Sequence, residues 1–243
     1  QHPAANRPPD TVTLGQGGRG TGGTTWAAGK LLAQFIALHH DSVFGLLPPS
    51  FAQAGRRWKD ALVVELGAGL GLVSIVAAML GAEVVATDGE DTVVDQLAAN
   101  AERHLPHTLH KIRSRVLLWG QHGNDPAATM TEALDIPNHS LDISGALMPK
   151  QSPSVGGRRI DIVLAADVVY GHAPNVWADL VYTLKLLLSS GTVCLLAHSS
   201  RYASDDAFFK MLAESFEVAA VPEDYLPDKL PAVSIFALKR LFP

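Results

Sequence analysis

Val63-Val64-Glu65-Leu66-Gly67-Ala68-Gly69-Leu70-Gly71 decides the fold. An apolar run enters a turn with glycine at three alternate positions, and a helix-compatible apolar stretch to Leu80 follows at once. Strand, glycine turn and helix in direct succession form the opening unit of an open α/β sheet, where glycine permits a tight turn and close approach of a ligand to the backbone. The spacing is G-x-G-x-G. The dinucleotide fingerprint G-x-G-x-x-G would place glycine at position 72, which is Leu72. Asp88 stands twenty-one residues beyond Gly67, at the end of the next apolar run, where a carboxylate can accept hydrogen bonds from ribose hydroxyls.

Outward from this turn, strands and helices alternate. Strands are predicted at Ala61–Leu66, Glu83–Thr87, Ile112–Leu118, Ile160–Ala166, Thr192–Ala197, Glu217–Pro222 and Val233–Leu238. Helices are predicted at Ala27–His40, with Thr24 or Thr25 as N-cap, and at Leu70–Leu80, Asp91–His104, Asn175–Ser189 and Asp205–Ser215. Short apolar strands without alternation, separated by helices, predict a mostly parallel sheet covered on both faces. Residues 1–23 read as a flexible arm with one candidate short strand, Thr11–Leu14. Residues 24–243 read as a single domain with an irregular insertion at about 121–159, broken by Pro126, Pro137, Pro149 and Pro153.

Composition narrows the function. The 243 residues are 47% hydrophobic and 18% charged, with a mean hydropathy of +0.15, enough for a substantial core. Leu66 to Ala82 is uncharged, but its four glycines argue for a buried turn and helix and against a membrane span. A net charge of −5 argues against a mainly electrostatic nucleic-acid binder. The first twenty residues lack a secretory signal pattern, and one cysteine, Cys194, fits a reducing, cytoplasmic setting.

Glu65, Asp88 and the glycines together point to a nucleoside-type ligand. Acids at Glu65, Asp88 and Asp167, with no base in the turn, suit a cationic ligand such as the sulfonium of S-adenosylmethionine. The anionic pyrophosphate of NAD stays open, because backbone amides of the turn could hold it.

At this point the residues resemble a known family. Gly20-Thr-Gly-Gly-Thr-Thr-Trp26-Ala-Ala, Glu65–Gly71, Asp88, Leu118-Trp119-Gly120, Ala165-Ala-Asp167-Val-Val-Tyr170 and Arg201-Tyr202 run in the order of class I, seven-β-strand S-adenosylmethionine-dependent methyltransferases. They resemble in particular the protein-lysine methyltransferases that modify chaperones and elongation factors. Asp-x-x-Tyr discriminates best, since DNA amino-methylating members of the class carry a Pro-Pro version there. The resemblance implies a doubly wound, Rossmann-like seven-stranded sheet. It implies cofactor contacts from Trp26, Gly67, Ala68, Gly69, Asp88, Trp119 and Ala166, with Asp167 and Tyr170 at the mouth where the substrate amine enters. One departure is Ala27, where the family has Asp after the tryptophan.

The resulting expectation is transfer of methyl groups to a lysine of a protein substrate by a monomer that needs no metal, nucleic acid or membrane. Lysine ionises near pH 10.4, so Asp167 is better suited to hold and orient the ammonium than to act as a base. Arginine, histidine or small-molecule acceptors share the fold, and Ala27 admits a non-catalytic nucleotide-binding partner protein. Blander roles are also open: Trp26 and Trp119 as core aromatics, Asp167 as a helix cap, Arg201 as a solvated loop residue. His104, His107 and His110 do not make a metal site, because Pro106 interrupts a helix that would align them. Gly15 to Thr21 lacks the lysine of a phosphate loop, and no G-x-S-x-G elbow occurs.

Overall fold

A computed structural model describes residues 12–15, 21–51, 57–108, 111–120, 134, 154–155, 158–169, 173–227, 230 and 232–242. The strands are β1 (Leu62–Leu66), β2 (Glu83–Asp88), β3 (Ile112–Val116), β4 (Ser154–Val155), β5 (Arg158–Arg159), β6 (Ile162–Ala166), β7 (Val193–Ser199), β8 (Phe216–Ala220) and β9 (Val233–Arg240). The helices are α1 (Ala27–Leu38), α2 (Leu72–Met79), α3 (Asp91–Arg103), α4 (Leu105–Thr108), α5 (Pro174–Leu187) and α6 (Asp205–Ala213). Seven strands form one sheet in the order β3-β2-β1-β6-β7-β9-β8, and β4 and β5 form a separate two-residue antiparallel pair. Pairing is parallel from β3 to β7 and antiparallel where β9 inserts between β7 and β8. This is the mostly parallel, doubly wound sheet the sequence predicts.

Burial on both faces explains why the strands read as continuous apolar runs. Val63, Val84, Ile162, Leu164 and Leu195 pack with α1, α2 and Leu97 of α3 on one face. Leu62, Val64, Val85, Val163 and Leu196 pack with α5 and α6 on the other. Each such buried aliphatic side chain contributes about 1.5–3 kcal/mol of transfer free energy. Successive strands run outward from β1 to β3 and, after a reversal, from β6 to β7. The C-terminal ends of β1 and β6 therefore flank a switch point, the place where open α/β sheets leave a crevice.

Most predicted elements differ from the observed ones by one or two residues at an end, and two expectations need correction. Val12 to Gly15 is not a strand; the Gly15 amide donates to Asn100 Oδ1 (2.9 Å) and the His104 ring sits 2.9 Å from the Thr13 carbonyl. The N-cap of α1 is Trp26, with no side-chain cap bond, in place of Thr24 or Thr25. The helix does break near Pro106, as expected: α3 ends at Arg103, His104 is its C-cap, and the short α4 starts at Leu105 with Pro106 in its first turn, where proline is tolerated. Of the expected insertion at 121–159, only Leu134 and the β4–β5 residues are among those described.

Candidate active site

A cleft of about 760 Å³ opens at the C-terminal ends of β1, β2, β6 and β7. All eight residues expected to bind a cofactor border it: Trp26, Glu65, Gly67, Ala68, Gly69, Asp88, Trp119 and Ala166. Asp167, Arg201 and Tyr202 border it too, while Tyr170 lies outside the described residues. Sequence reasoning missed Val176 and Asp179, which α5 brings to the rim; nothing in their spacing marks them. Among the described residues, no group of His, Cys, Asp and Glu could hold a metal.

The glycine turn is shaped by what its side chains would strike. Gly67 has φ +62°, and a Cβ there would lie 2.8 Å from Val168 Cγ1 and 3.5 Å from the Trp119 ring. Gly71, at φ +86°, is the N-cap of α2, and a Cβ would meet Leu97 Cδ1 at 2.3 Å. Both positions thus require glycine for backbone conformation and for space. The Gly69 amide donates to Asp88 Oδ2 (3.0 Å) and the Gly89 amide to Asp88 Oδ1 (2.8 Å), which fixes the carboxylate across the turn. A carboxylate has about four acceptor positions, so capacity for two further hydroxyl donors remains.

Glu65 corrects the expected charge pattern. Its side chain is buried beneath the turn and accepts a short hydrogen bond from Ser74 Oγ. Burial pushes its carboxyl up to about 8; the Ser74 hydrogen bonds oppose this and the negative charge of Asp88 adds to it. At neutral pH Glu65 therefore carries a proton, and the negative charge of the turn rests on Asp88.

The other end is built from three loops. Asp167 follows β6 in the left-handed region (φ +59°), a conformation Asp tolerates better than most residues and one that clusters at functional sites. Arg201 donates from Nη2 to Asp167 Oδ2 at 2.5 Å, Ser199 Oγ lies 3.4 Å from the same oxygen, and the guanidinium sits 5.2 Å above the Trp26 ring. Asp167 Oδ1 is buried with no hydrogen-bond partner among the described residues. Asp167 is no helix cap, since the N-cap of α5 is Ala173. Trp26 is 42% exposed and so is no core residue, whereas Trp119 borders the cleft and also packs on the core.

Beneath Arg201 lies a pair that sequence reasoning missed. Asp205 Oδ2 accepts from the backbone amides of Arg201 (3.0 Å) and Tyr202 (3.2 Å) and lies 3.1 Å from His198 Nε2. Burial raises the Asp205 carboxyl, but these donors outweigh it and hold the group below its ordinary value. Asp205 and His198 thus fix the backbone from which the Arg201 side chain extends.

Residues 9–136 and 146–215 match the lysine methyltransferase family. Protein N-lysine methyltransferase METTL21A of Mus musculus is 36% identical over 167 residues, which cover 68% of this chain and 61% of that protein. The corresponding METTL21A of Xenopus tropicalis is 32% identical and covers 75% and 67%. Protein-lysine N-methyltransferase EFM6 of Saccharomyces cerevisiae is 28% identical over 219 residues, covering 85% and 75%. The chain thus spans roughly three fifths to two thirds of the length of the METTL21A relatives.

Proposed function

The chain belongs to the lysine methyltransferase family, and from that premise we propose that it transfers methyl groups from S-adenosylmethionine to a lysine side-chain amine of a protein substrate. The observation that carries this reading is the pairing, in one cleft, of a partly engaged Asp88 at the glycine turn with a buried, half-satisfied Asp167 beside an exposed tryptophan. A cofactor site and a cation site adjoin there.

The residues fit S-adenosylmethionine. Asp88 keeps acceptor capacity for ribose hydroxyls, and Gly67, Ala68 and Gly69 give the backbone access. Glu65, Trp26, Trp119 and Ala166 complete the wall. Arg201 is the sole Lys or Arg among the described residues that border the cleft, and it is engaged by Asp167 at the far end, which suits a sulfonium better than a pyrophosphate. When bound, S-adenosylmethionine supplies an electrophilic methyl group.

The protein's own task is to bring in and align the amine. Asp167 attracts the lysine ammonium by charge and hydrogen bonding, and Trp26 offers an aromatic face worth about 0.5–2 kcal/mol to a cation. A carboxylate stabilises the ammonium form, so Asp167 orients the substrate and the proton leaves to water before the nitrogen reacts. The sequence resemblance assigns Tyr170 to the same mouth. A protein partner, with no nucleic acid, is supported by the net charge of −5 and the acidic lining of Asp88, Glu90, Asp167 and Asp179. Among the described residues no helix is long and apolar enough to cross a membrane. The proposal takes the protein as a cytoplasmic monomer, and Cys194, buried in β7, supports the reducing compartment.

Calorimetry tests the cofactor half of this reading. S-adenosylmethionine is expected to bind and NAD not to; binding of NAD alone overturns the proposal.

A further inference from the structure

The two features that would recognise a substrate cation are already in use. Arg201 Nη2 is on Asp167 Oδ2 and its guanidinium covers the face of Trp26. We propose that Arg201 is the specificity-determining residue of the acceptor site: it is a built-in occupant that the lysine ammonium of a protein segment displaces and that small free amines do not. This inference rests on the methyltransferase reading above.

Three observations carry it. First, the Arg201–Asp167 contact is incomplete. Arginine pairs best with a carboxylate through two parallel hydrogen bonds, but here one nitrogen meets one oxygen, and the buried Oδ1 is left without a partner among the described residues. A buried acceptor without a donor is costly, and it favours any cation that can serve both oxygens, as an ammonium with three donors can. Second, the side chain can leave while its base stays. The Arg201 amide is tied to Asp205, which His198 supports, whereas the Arg201 side chain is 33% exposed against 2% for Asp167. Third, the rim supplies what a competitor needs. An occupant on the same chain competes at a high effective concentration, so an incoming cation must bring binding energy from elsewhere. Leu118, Val176 and Tyr202 are exposed large side chains that border the same cleft. A lysine flanked by apolar residues gains that energy by covering them, and a free amine cannot. The substrate class is therefore a lysine in an apolar-flanked protein segment, and small-molecule amines are excluded.

The test uses n-butylammonium, a copy of the lysine side chain, titrated into the full chain and into Arg201→Ala. The readout is the NMR shift of the Trp26 indole N–H, assigned by its loss in Trp26→Phe. Removing the occupant is expected to tighten n-butylammonium binding by about tenfold or more. Arg201→Gln should behave alike, and adding Asp167→Asn to either variant should abolish the gain. Unchanged or weaker binding in both Arg201 variants, or a gain that survives Asp167→Asn, overturns the inference. Titration of S-adenosylmethionine into the same samples keeps the two readings apart. Failure of the parent chain to bind it removes the methyltransferase proposal, and the amine titration still decides the role of Arg201.

Discussion

At the glycine turn, Asp88 has one backbone amide on each carboxylate oxygen, from Gly69 and Gly89, and Glu65 is buried against Ser74. At the opposite end of the same cleft, Asp167 sits at φ +59° with one oxygen on Arg201 and the other buried without a partner among the described residues. The first region lies within one continuous unit, Glu65 to Asp88, whose turn amides already hold the Asp88 carboxylate in place while it keeps acceptor capacity for a ligand. The second is assembled from side chains on three distant loops and leaves Asp167 Oδ1 without a partner among the described residues. Polar groups in folded proteins are normally satisfied, and Asp167 Oδ1 is an exception on a residue that borders the cleft. On the proposed reading, the cofactor end is preorganised and the acceptor end is completed by the substrate.

Substitution at each end should break one function and spare the other. Asp167→Asn keeps the shape and tolerates the left-handed backbone. It should reduce methyl transfer by about a hundredfold to a thousandfold, the range for losing one preorganised polar group at a reacting centre. Affinity for S-adenosylmethionine, measured by calorimetry, should stay the same; a parallel loss of binding would show that the two ends are not separate. Asp88→Ala should give the converse, a dissociation constant raised about tenfold to a hundredfold through loss of charge-assisted hydrogen bonds. Unaltered affinity in that variant would contradict the role given to Asp88.

Glu65 sharpens the comparison through pH. Below about pH 4.5 the carboxyl is protonated in both folded and unfolded chains. Between there and about pH 8 the unfolded chain ionises while the folded chain keeps its proton. Folding stability is therefore lost as pH rises through this window, by at most about 1.4 kcal/mol per pH unit. Glu65→Gln removes the titration, so its stability in urea relative to the parent should improve steadily from about pH 5 to about pH 8. A gap independent of pH would contradict the buried, protonated state.

The same division explains what the sequence made legible. The sheet and its helices are readable because both-face burial writes the central strands as apolar runs, as in Ile162–Ala166 and Val193–Ala197, and because Gly67 to Gly71 marks the first turn. Element ends are set by pairing: β7 extends to Ser199 because His198 and Ser199 pair with Ser234 and Val233, although a histidine and a serine do not read as strand. Glu65, the glycines and Asp88 are legible because Glu65 to Asp88 is one continuous strand–turn–helix–strand unit, whereas Trp26, Trp119 and Ala166 are reached only through the family resemblance. The proton on Glu65 is not legible, since burial is a property of the packed chain. Trp26, Asp167 and Arg201 were each singled out, yet their mutual contact was not, because strand order and not spacing brings them together. His198 and Asp205 gave no signal beyond a strand end and a helix start.

The central claim is that this cleft methylates a protein lysine, with cofactor and acceptor handled by separate groups. Its most direct test is to incubate the full chain with a cell lysate and S-adenosylmethionine carrying a labelled methyl group, and to locate the label by mass spectrometry. The account predicts label on lysine of a protein, lost with Asp167→Asn although that variant still binds the cofactor. Label on arginine, on histidine or on nucleic acid, or lysine labelling that persists with Asp167→Asn, would contradict it.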